Sequence, residues 1–570
     1  MKTISTRSDV AVLTSDRPGK VVEDYEQPRF SQRETLLTMF GVLMVMLLAS
    51  LDQTIVSTAM PRVIAELHGF DRYTWVSTAY LLTSTVMVPI YGKLSDLIGR
   101  KPIFLFGVVV FLIGSALSGT SQSMNQLIAF RALQGVGAGA LMPIAIAIVG
   151  DLFTPRERGK WQGVTGGVWG ISAIIGPTLG GWITQNASWR WIFYVNLPIG
   201  IAALLVLIFL MPTLRGKAKD VSIDYVGAAL LVLGTVPLLL GFTWAGSQYD
   251  WVSVQIISLF AGAFIVLTSF IIYEAWLERS GGQPIIEPSL FKNSIFSVST
   301  LVTMIFGMAL FGGIFFIPLY VQGVVGSSAT NSGLILTPLM LTSVVGSVVS
   351  GQLVSRLGKY KWIAILGMLV SVAGVLLLAH LDVNSSNNDV LLAMLVLGLG
   401  LGIGMSLYTL IVQNALPTKI GQSTAALTFF RQIGGTIALA AMGSVMTAAY
   451  LPAFHSALPA AIMHAVPAQY LSAFNNPQIL LSPTALAQIE SHAAAMGPQA
   501  VAMLHQIIEA VKIGLAQGIH NVFVLSLGLM ITGLVAVLFL KEIPLRGGRL
   551  TEKDTVADEV EDESSLTAII

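Results

Sequence analysis

Long apolar runs alternate with short polar joints along most of this chain. Fourteen runs stand out, at residues 36–60, 73–96, 102–120, 124–150, 161–185, 192–212, 224–245, 252–276, 294–321, 331–354, 361–380, 389–416, 421–450 and 519–541. At a helical rise of about 1.5 Å per residue, each is long enough to cross a hydrocarbon layer roughly 30 Å thick. Each is therefore expected to be a membrane-spanning helix. One joint is long: residues 451–518 hold six prolines and few charges. Ser482-Pro483 predicts the cap and first turn of a helix through about Ala495. Pro498 predicts a second helix through about Lys512. Together they read as a helical hairpin, either resting on the membrane surface or forming a lid over an exit path.

Composition agrees with this pattern. Hydrophobic residues make up 54% of the 570 and charged residues 11%, against roughly 25% charged in a soluble domain. With the N-terminus assigned to the cytoplasm and sides alternating, 25 of the 31 Lys and Arg fall in cytoplasmic segments or at their edges. The positive-inside bias therefore expects a multi-pass protein of a bacterial inner membrane with both termini cytoplasmic. The first 33 residues lack the apolar core and cleavage site of a secretory signal, so the first span is expected to stay in the mature protein. The acidic tail from Thr551 reads as solvated.

Several functions are disfavoured. A net charge of +1 argues against nucleic acid, and the lack of cysteine removes disulfides and thiolate chemistry. No Gly-Lys-Ser/Thr phosphate loop, catalytic triad or metal-ligand cluster lies within a span, and all seven His map to the outer side. An enzyme is not expected, nor a metal or any cofactor beyond protons as coupling ion. A lipophilic small molecule and membrane lipid are the expected partners of a monomer.

The chain also repeats itself. Gly92-Lys-Leu-Ser-Asp-Leu-Ile-Gly99-Arg100-Lys101 follows the second span, and Gly351-Gln-Leu-Val-Ser-Arg-Leu-Gly358-Lys359 follows the tenth, at a constant offset of 259 residues. Two homologous halves with the seventh and eighth spans inserted between them explain this. The expected division is a cytoplasmic segment 1–35, a six-helix bundle 36–212, two linker helices and loops 213–293, a second bundle 294–541 including the outer loop 451–518, and a tail 542–570. Parallel-repeat transporters place the substrate near the midplane between the repeats.

Asp52 is the carboxylate that falls away from every span end; Asp96, Asp151, Asp224 and Glu274 lie near cytoplasmic edges. A carboxylate at that depth is costly and marks a functional site. It is expected to titrate, or else to pair structurally with a base. Arg131 is the natural partner, because both residues fall in the outer half of the layer; a helix-packing role is the alternative. In the fifth span Gly166, Gly167, Gly170, Gly176, Pro177, Gly180 and Gly181 crowd one helix. Such residues permit close helix approach, and Pro177 is expected to kink the helix.

Taken together, these motifs resemble the major facilitator superfamily, and within it the fourteen-span drug:proton antiporters. The segments concerned are Leu51 to Pro61, Gly92 to Lys101, Arg131 to Pro143, Gly170 to Gly181 and Trp189 to Pro198, and the likeness covers about residues 36–450 and 519–541. The resemblance implies an all-α membrane protein of the major-facilitator fold. Two six-helix bundles rock about a central cavity, with two additional helices (14 spans) and here an outer helical hairpin. It implies proton coupling at Asp52 with Arg131, a latch of Gly92, Asp96, Gly99, Arg100 and Lys101, and an antiporter motif at Gly170, Gly176, Pro177, Gly180 and Gly181. Ser355 replaces Asp96 in the second copy, so the latch is expected to be asymmetric.

The expected function is multidrug efflux by proton exchange. Deprotonated Asp52 would hold a cationic or amphipathic molecule, and its protonation would release it. One proton would exchange for one monovalent cation, moving no net charge. Tyr80, Trp169, Phe315 and Tyr408 are candidate cavity walls. A proton-driven lipid or glycolipid exporter of the same fold, a nutrient symporter and a non-transport membrane protein are the alternatives.

Overall fold

A computed structural model describes residues 30–67, 73–213, 222–246, 248–326, 329–467, 471–475 and 483–545. The N-terminal segment, the acidic tail, His68, Arg72 and Ser482 lie outside these residues. Helices run as α1 Gln32–Leu67, α2 Tyr73–Ile98, α3 Arg100–Thr120, α4 Met124–Leu152 and α5 Pro155–Asn186. The sixth span is broken at Val195 into α6 Trp191–Tyr194 and α7 Asn196–Leu210. Then come α8 Tyr225–Trp244, α9 Val254–Arg279, α10 Ser294–Gly323, α11 Ala329–Leu357, α12 Lys361–Ala379, α13 Asn387–Ala415 and α14 Ile420–Ala457. The chain closes with α15 Ala460–Ala465, α16 Pro483–Met496 and α17 Pro498–Leu538.

Helices suit this environment because each satisfies its own backbone groups where lipid offers none. The ends are capped in the polar joints: Ser123 accepts from Gln126 N at 3.3 Å, Asn293 from Ile295 N at 3.0 Å, and Thr154 with Glu157 forms a capping box ahead of Pro155. Among the described residues, twelve helices are long and apolar enough to cross a membrane. The expected spans on α2 and α5 are long but fall short in apolarity. Both lie at the seam between bundles, α2 against α14 and α5 against α11. Small and polar side chains belong there, not on a lipid face.

In the first bundle α2 and α3 pack on α4, and α1 packs on α5 and α7. In the second, α11 and α12 pack on α13, and α10 packs on α14, which with α12 contacts α17. The inserted pair, α8 and α9, pack on each other, and α8 touches α2 and α14. The end of the molecule carrying Lys93, Arg100, Arg158, Lys361, Lys419 and Lys541 is here the basic end.

The long joint differs from expectation. The second hairpin helix and the last span are one continuous helix of 41 residues, α17, about 60 Å long at 1.5 Å per residue. The 38 residues of α14 reach roughly 57 Å. Neither fits within a layer about 30 Å thick, so both project beyond the end opposite the basic one. There Phe454, fully buried, stacks on Tyr450 at 5.8 Å and packs 3.0 Å from the Cβ position of Gly514. A helix continuous with a span cannot also lie flat on the membrane. The joint therefore builds an upright column, with α16 folded against α17.

Candidate functional site

Asp52 is fully enclosed in the first bundle (0% exposed). Its Oδ2 accepts from Arg131 Nη1 at 2.7 Å, and its Oδ1 accepts from Gln134 Nε2 and Asn196 Nδ2, each at 2.9 Å. The pair inferred from depth is thus in direct contact. Arg131 Nη1 also donates to Gln134 Oε1 at 2.8 Å, and the guanidinium lies 4.1 Å from the Tyr80 ring centroid. Asn196 begins α7 just after the break in the sixth span and donates to Ser115 Oγ at 3.0 Å. Four elements therefore converge on one carboxylate: α1, α4, α7 and, through Ser115, α3. On α1, Ser50 and Thr54 flank Asp52 and both bond Ser172 of α5, at 2.6 Å to its hydroxyl and 3.1 Å to its carbonyl.

The basic end holds a second constellation. Arg100, fully buried, bonds Asp96 Oδ1 at 2.7 Å, Asp151 Oδ2 at 2.6 Å and Ser95 Oγ at 2.6 Å. Asp96 reaches into the other bundle, where it accepts from Gln422 N at 2.7 Å and Gly421 N at 3.3 Å. These are first-turn amides of α14, which have no intrahelical partner, and the helix dipole favours an anion there. Gly421 permits the approach, since a Cβ there would lie 2.6 Å from Asp96 Oδ1.

Lys101 does not join this group. Its Nζ donates to Ile208 O at 2.8 Å and Met211 O at 2.6 Å, capping the carbonyl end of α7. Gly99 adopts φ 106°, as the sharp turn between α2 and α3 requires, and its repeat Gly358 adopts φ 67°. Gly92 and Gly351 also correspond: an added Cβ would strike Ala425 of α14 in one case and Gly159 of α5 in the other. Each copy of the repeat thus forms a close crossing between bundles. The charge latch has no second copy, for Arg356 and Lys359 form no ion pair among the described residues.

A further clamp lies beside the first. Glu287, in the linker after α9, pairs with Lys93 at 2.9 Å and Lys419 at 2.6 Å. Burial would raise its carboxyl, but the Lys93 and Lys419 ammoniums outweigh this and hold it below the usual carboxylate range. Gln422 Nε2 donates to Ile285 O at 2.7 Å, fastening the same linker to α14. The edge acids Asp224 and Glu274 are buried side by side nearby, with Asp224 Oδ1 accepting from Gly227 N at 2.7 Å.

The antiporter glycines face two ways. Gly170 lies against Val344 of α11, 2.6 Å from an added Cβ, whereas Gly176 meets Thr54 of α1. Gly180 is buried, Gly181 borders open space, and the side chain of Pro177 lies outside the described residues. Of the candidate cavity walls, Tyr80 and Tyr408 are each 1% exposed, one under Arg131 and the other 5.9 Å from Phe306. Trp169 reaches across the seam to the core of the second bundle. Phe315 is 51% exposed and stacks with Phe311 at 6.4 Å, on the ring that packs against Gly435 of α14. The structure does not gather these four around one space.

Sequence reasoning passed over Gln134, Asn196, Asp151 and Glu287. Gln134 had a signal, three residues from Arg131 on one helix face. Asn196 stands out as an amide within an apolar run.

The sequence model of the Major Facilitator Superfamily matches residues 42–439. The chain is 39% identical to the multidrug transporter protein MdtP of Bacillus subtilis (strain 168), over 94% of this chain and 98% of that one. It is 36% identical to multidrug resistance protein 3 of the same organism, over 89% and 96%. The efflux pump FUS6 of Gibberella moniliformis (strain M3125 / FGSC 7600) is 31% identical over 73% of this chain and 75% of its own length. Among solved structures, the human organic anion transporter MFSD10 (TETRAN) superposes with a TM-score of 0.54 over 88% of this chain and 99% of that one. At 16% identity, that likeness concerns the fold alone.

Proposed function

Because the chain belongs to the major facilitator superfamily, we propose that it exports lipophilic small molecules by proton-driven alternating access, with Asp52 as the proton-accepting group. Relatives named for multidrug transport and efflux support the export of such molecules. The basic end faces the cytoplasm, with both termini there, in the cell's cytoplasmic membrane. The conformer described is then closed inward: the Asp96 latch, the Glu287 clamp and the Gly159–Gly351 crossing all lie at that end.

The observation that carries the reading is the Asp52–Arg131 contact, enclosed at 0% and 2% side-chain exposure. Protonating Asp52 would leave Arg131 buried without its counter-ion. Breaking a buried pair costs about 3–5 kcal/mol, whereas moving a two-state equilibrium from 1:99 to 99:1 takes roughly 5.5 kcal/mol. One proton thus supplies most of a conformational switch.

The test is transport in proteoliposomes under an imposed pH gradient, with Asp52→Asn against wild type. Gradient-driven movement should vanish while inserted, folded protein remains. Gradient-driven movement retained in Asp52→Asn would refute the assignment.

A further inference from the structure

Arg431 lies on α14, eleven residues from its start at Ile420, or about 16 Å along the helix. That is mid-depth in a layer of roughly 30 Å, too deep to snorkel to either surface. Its Cγ packs 2.9 Å from the Cβ position of Gly307 on α10. The residue keeps partial exposure and has no hydrogen-bond or ion-pair partner among the described residues. A charged side chain at that depth must face a bundle interior or a watered cavity.

The charges deep in the spans are Asp52, Arg131 and Arg431. The first two cancel: Asp52 already accepts from Arg131, Gln134 and Asn196. The expectation of a cationic substrate counted Asp52 as free to bind it, and in this conformer it is not. What remains is one uncompensated cation. On α10, which Arg431 meets at Gly307, and next to it on α14 are unused polar atoms. Thr303 and Thr300, one and two turns from Gly307 on the same face of α10, are buried with hydroxyls that bond nothing, and Gln432 Oε1 is likewise unpartnered. A guanidinium and two hydroxyls are hydrogen-bond donors suited to an oxyanion. Toward the basic end the site is floored by the apolar cluster of Leu290, Phe296, Val412, Ala426 and Leu427.

We propose that Arg431, with Thr300 and Thr303, recognises an acidic group on the transported molecule, so that the substrate is a lipophilic anion carrying a carboxylate, sulfonate or phosphate. This rests on the transporter reading and fixes the charge of its substrate. Substrate and proton then do not compete for one carboxylate. The anion binds the conformer in which Asp52 holds Arg131, and protonation of Asp52 favours the other. One proton entering against one monovalent anion leaving moves two charges, so exchange generates a current.

The experiment uses full-length protein in proteoliposomes with two probes of one skeleton: 1-anilinonaphthalene-8-sulfonate, an anion, and N-phenyl-1-naphthylamine, its neutral counterpart. Passive partitioning into lipid is the same for every variant, so differences between variants isolate the site. Arg431→Gln should weaken anion transport affinity roughly 10- to 100-fold, the range for losing a charge-assisted hydrogen bond, and leave the neutral probe within about threefold. Arg431→Lys, which keeps the charge but not the forked donors, should fall between and verifies that the position tolerates change. Undiminished anion transport in Arg431→Gln, with the neutral probe still carried, overturns the anion assignment while export stands. Transport of neither probe by wild type overturns both.

Discussion

Asp96→Asn should open the basic end. The Arg100 pairs of Asp96 and Asp151 lie within one bundle and survive opening; the bonds from Asp96 to the α14 amides cross between bundles and do not. A hydrogen bond to a charged group contributes about 1.5–3 kcal/mol and a neutral one about 0.5–1.5. Asparagine keeps an acceptor but loses the charge and its attraction to the helix dipole. The variant therefore loses roughly 1–2 kcal/mol from the closed conformer, which corresponds to about 5- to 30-fold in the equilibrium. The chain has no cysteine, so spin labels at Thr213→Cys and Lys541→Cys, exposed positions in opposite bundles at this end, report the distance without background. Double electron–electron resonance should show a longer distance gaining population in Asp96→Asn. Lys101→Gln is the control, since its bonds stay within the first bundle. An unchanged distribution in Asp96→Asn, or an equal shift in Lys101→Gln, would refute the reasoning.

Other outcomes follow from the same contacts. Gly351→Leu drives a side chain into Gly159 and should separate the bundles at the basic end, read as faster alkylation of a cysteine placed at Val348; unchanged reactivity would argue against this crossing as a closure point. Glu287 sits below the usual carboxylate range when clamped, so its contribution to closure is present above the ordinary carboxylate pKa, about 4.3, and is lost as pH falls through the depressed value. The label distance should lengthen on acidification below about pH 4 in wild type but not in Glu287→Gln, and identical pH profiles would contradict the clamp. Phe454→Ala empties a fully buried site at a cost of about 3–5 kcal/mol. It should loosen the column and speed proteolysis within residues 460–497, and an unaltered cleavage rate would count against that packing.

Hydropathy made the spans legible because lipid demands length and apolarity, and the repeat at 92–101 and 351–359 disclosed the two halves. Depth made Asp52 and Arg131 a candidate pair, with a helix-packing role for Arg131 left open, and the structure brings the two into contact. Glu287 was hidden because its partners, Lys93 and Lys419, are distant in sequence and meet it only when the bundles close. Lys101 was misassigned because its neighbour Arg100 reaches the acids first, while the open carbonyls of α7 appear only once α3 and α7 pack. The continuity of α17 was missed because Gly514 and Gly518 separate the helix expected to end at about Lys512 from the span expected at 519, although no proline follows Pro498 within it. The expectation of a cationic substrate counted Asp52 as free, whereas in this conformer it accepts from Arg131, Gln134 and Asn196.

Proton release measures the coupling at Asp52 most directly. Purified wild type, equilibrated at a pH where Asp52 is protonated and held in weak buffer with an indicator dye, is mixed with 1-anilinonaphthalene-8-sulfonate. Protons should be released, approaching one per bound probe, and none from Asp52→Asn that binds the same probe. Equal release from both proteins would contradict it.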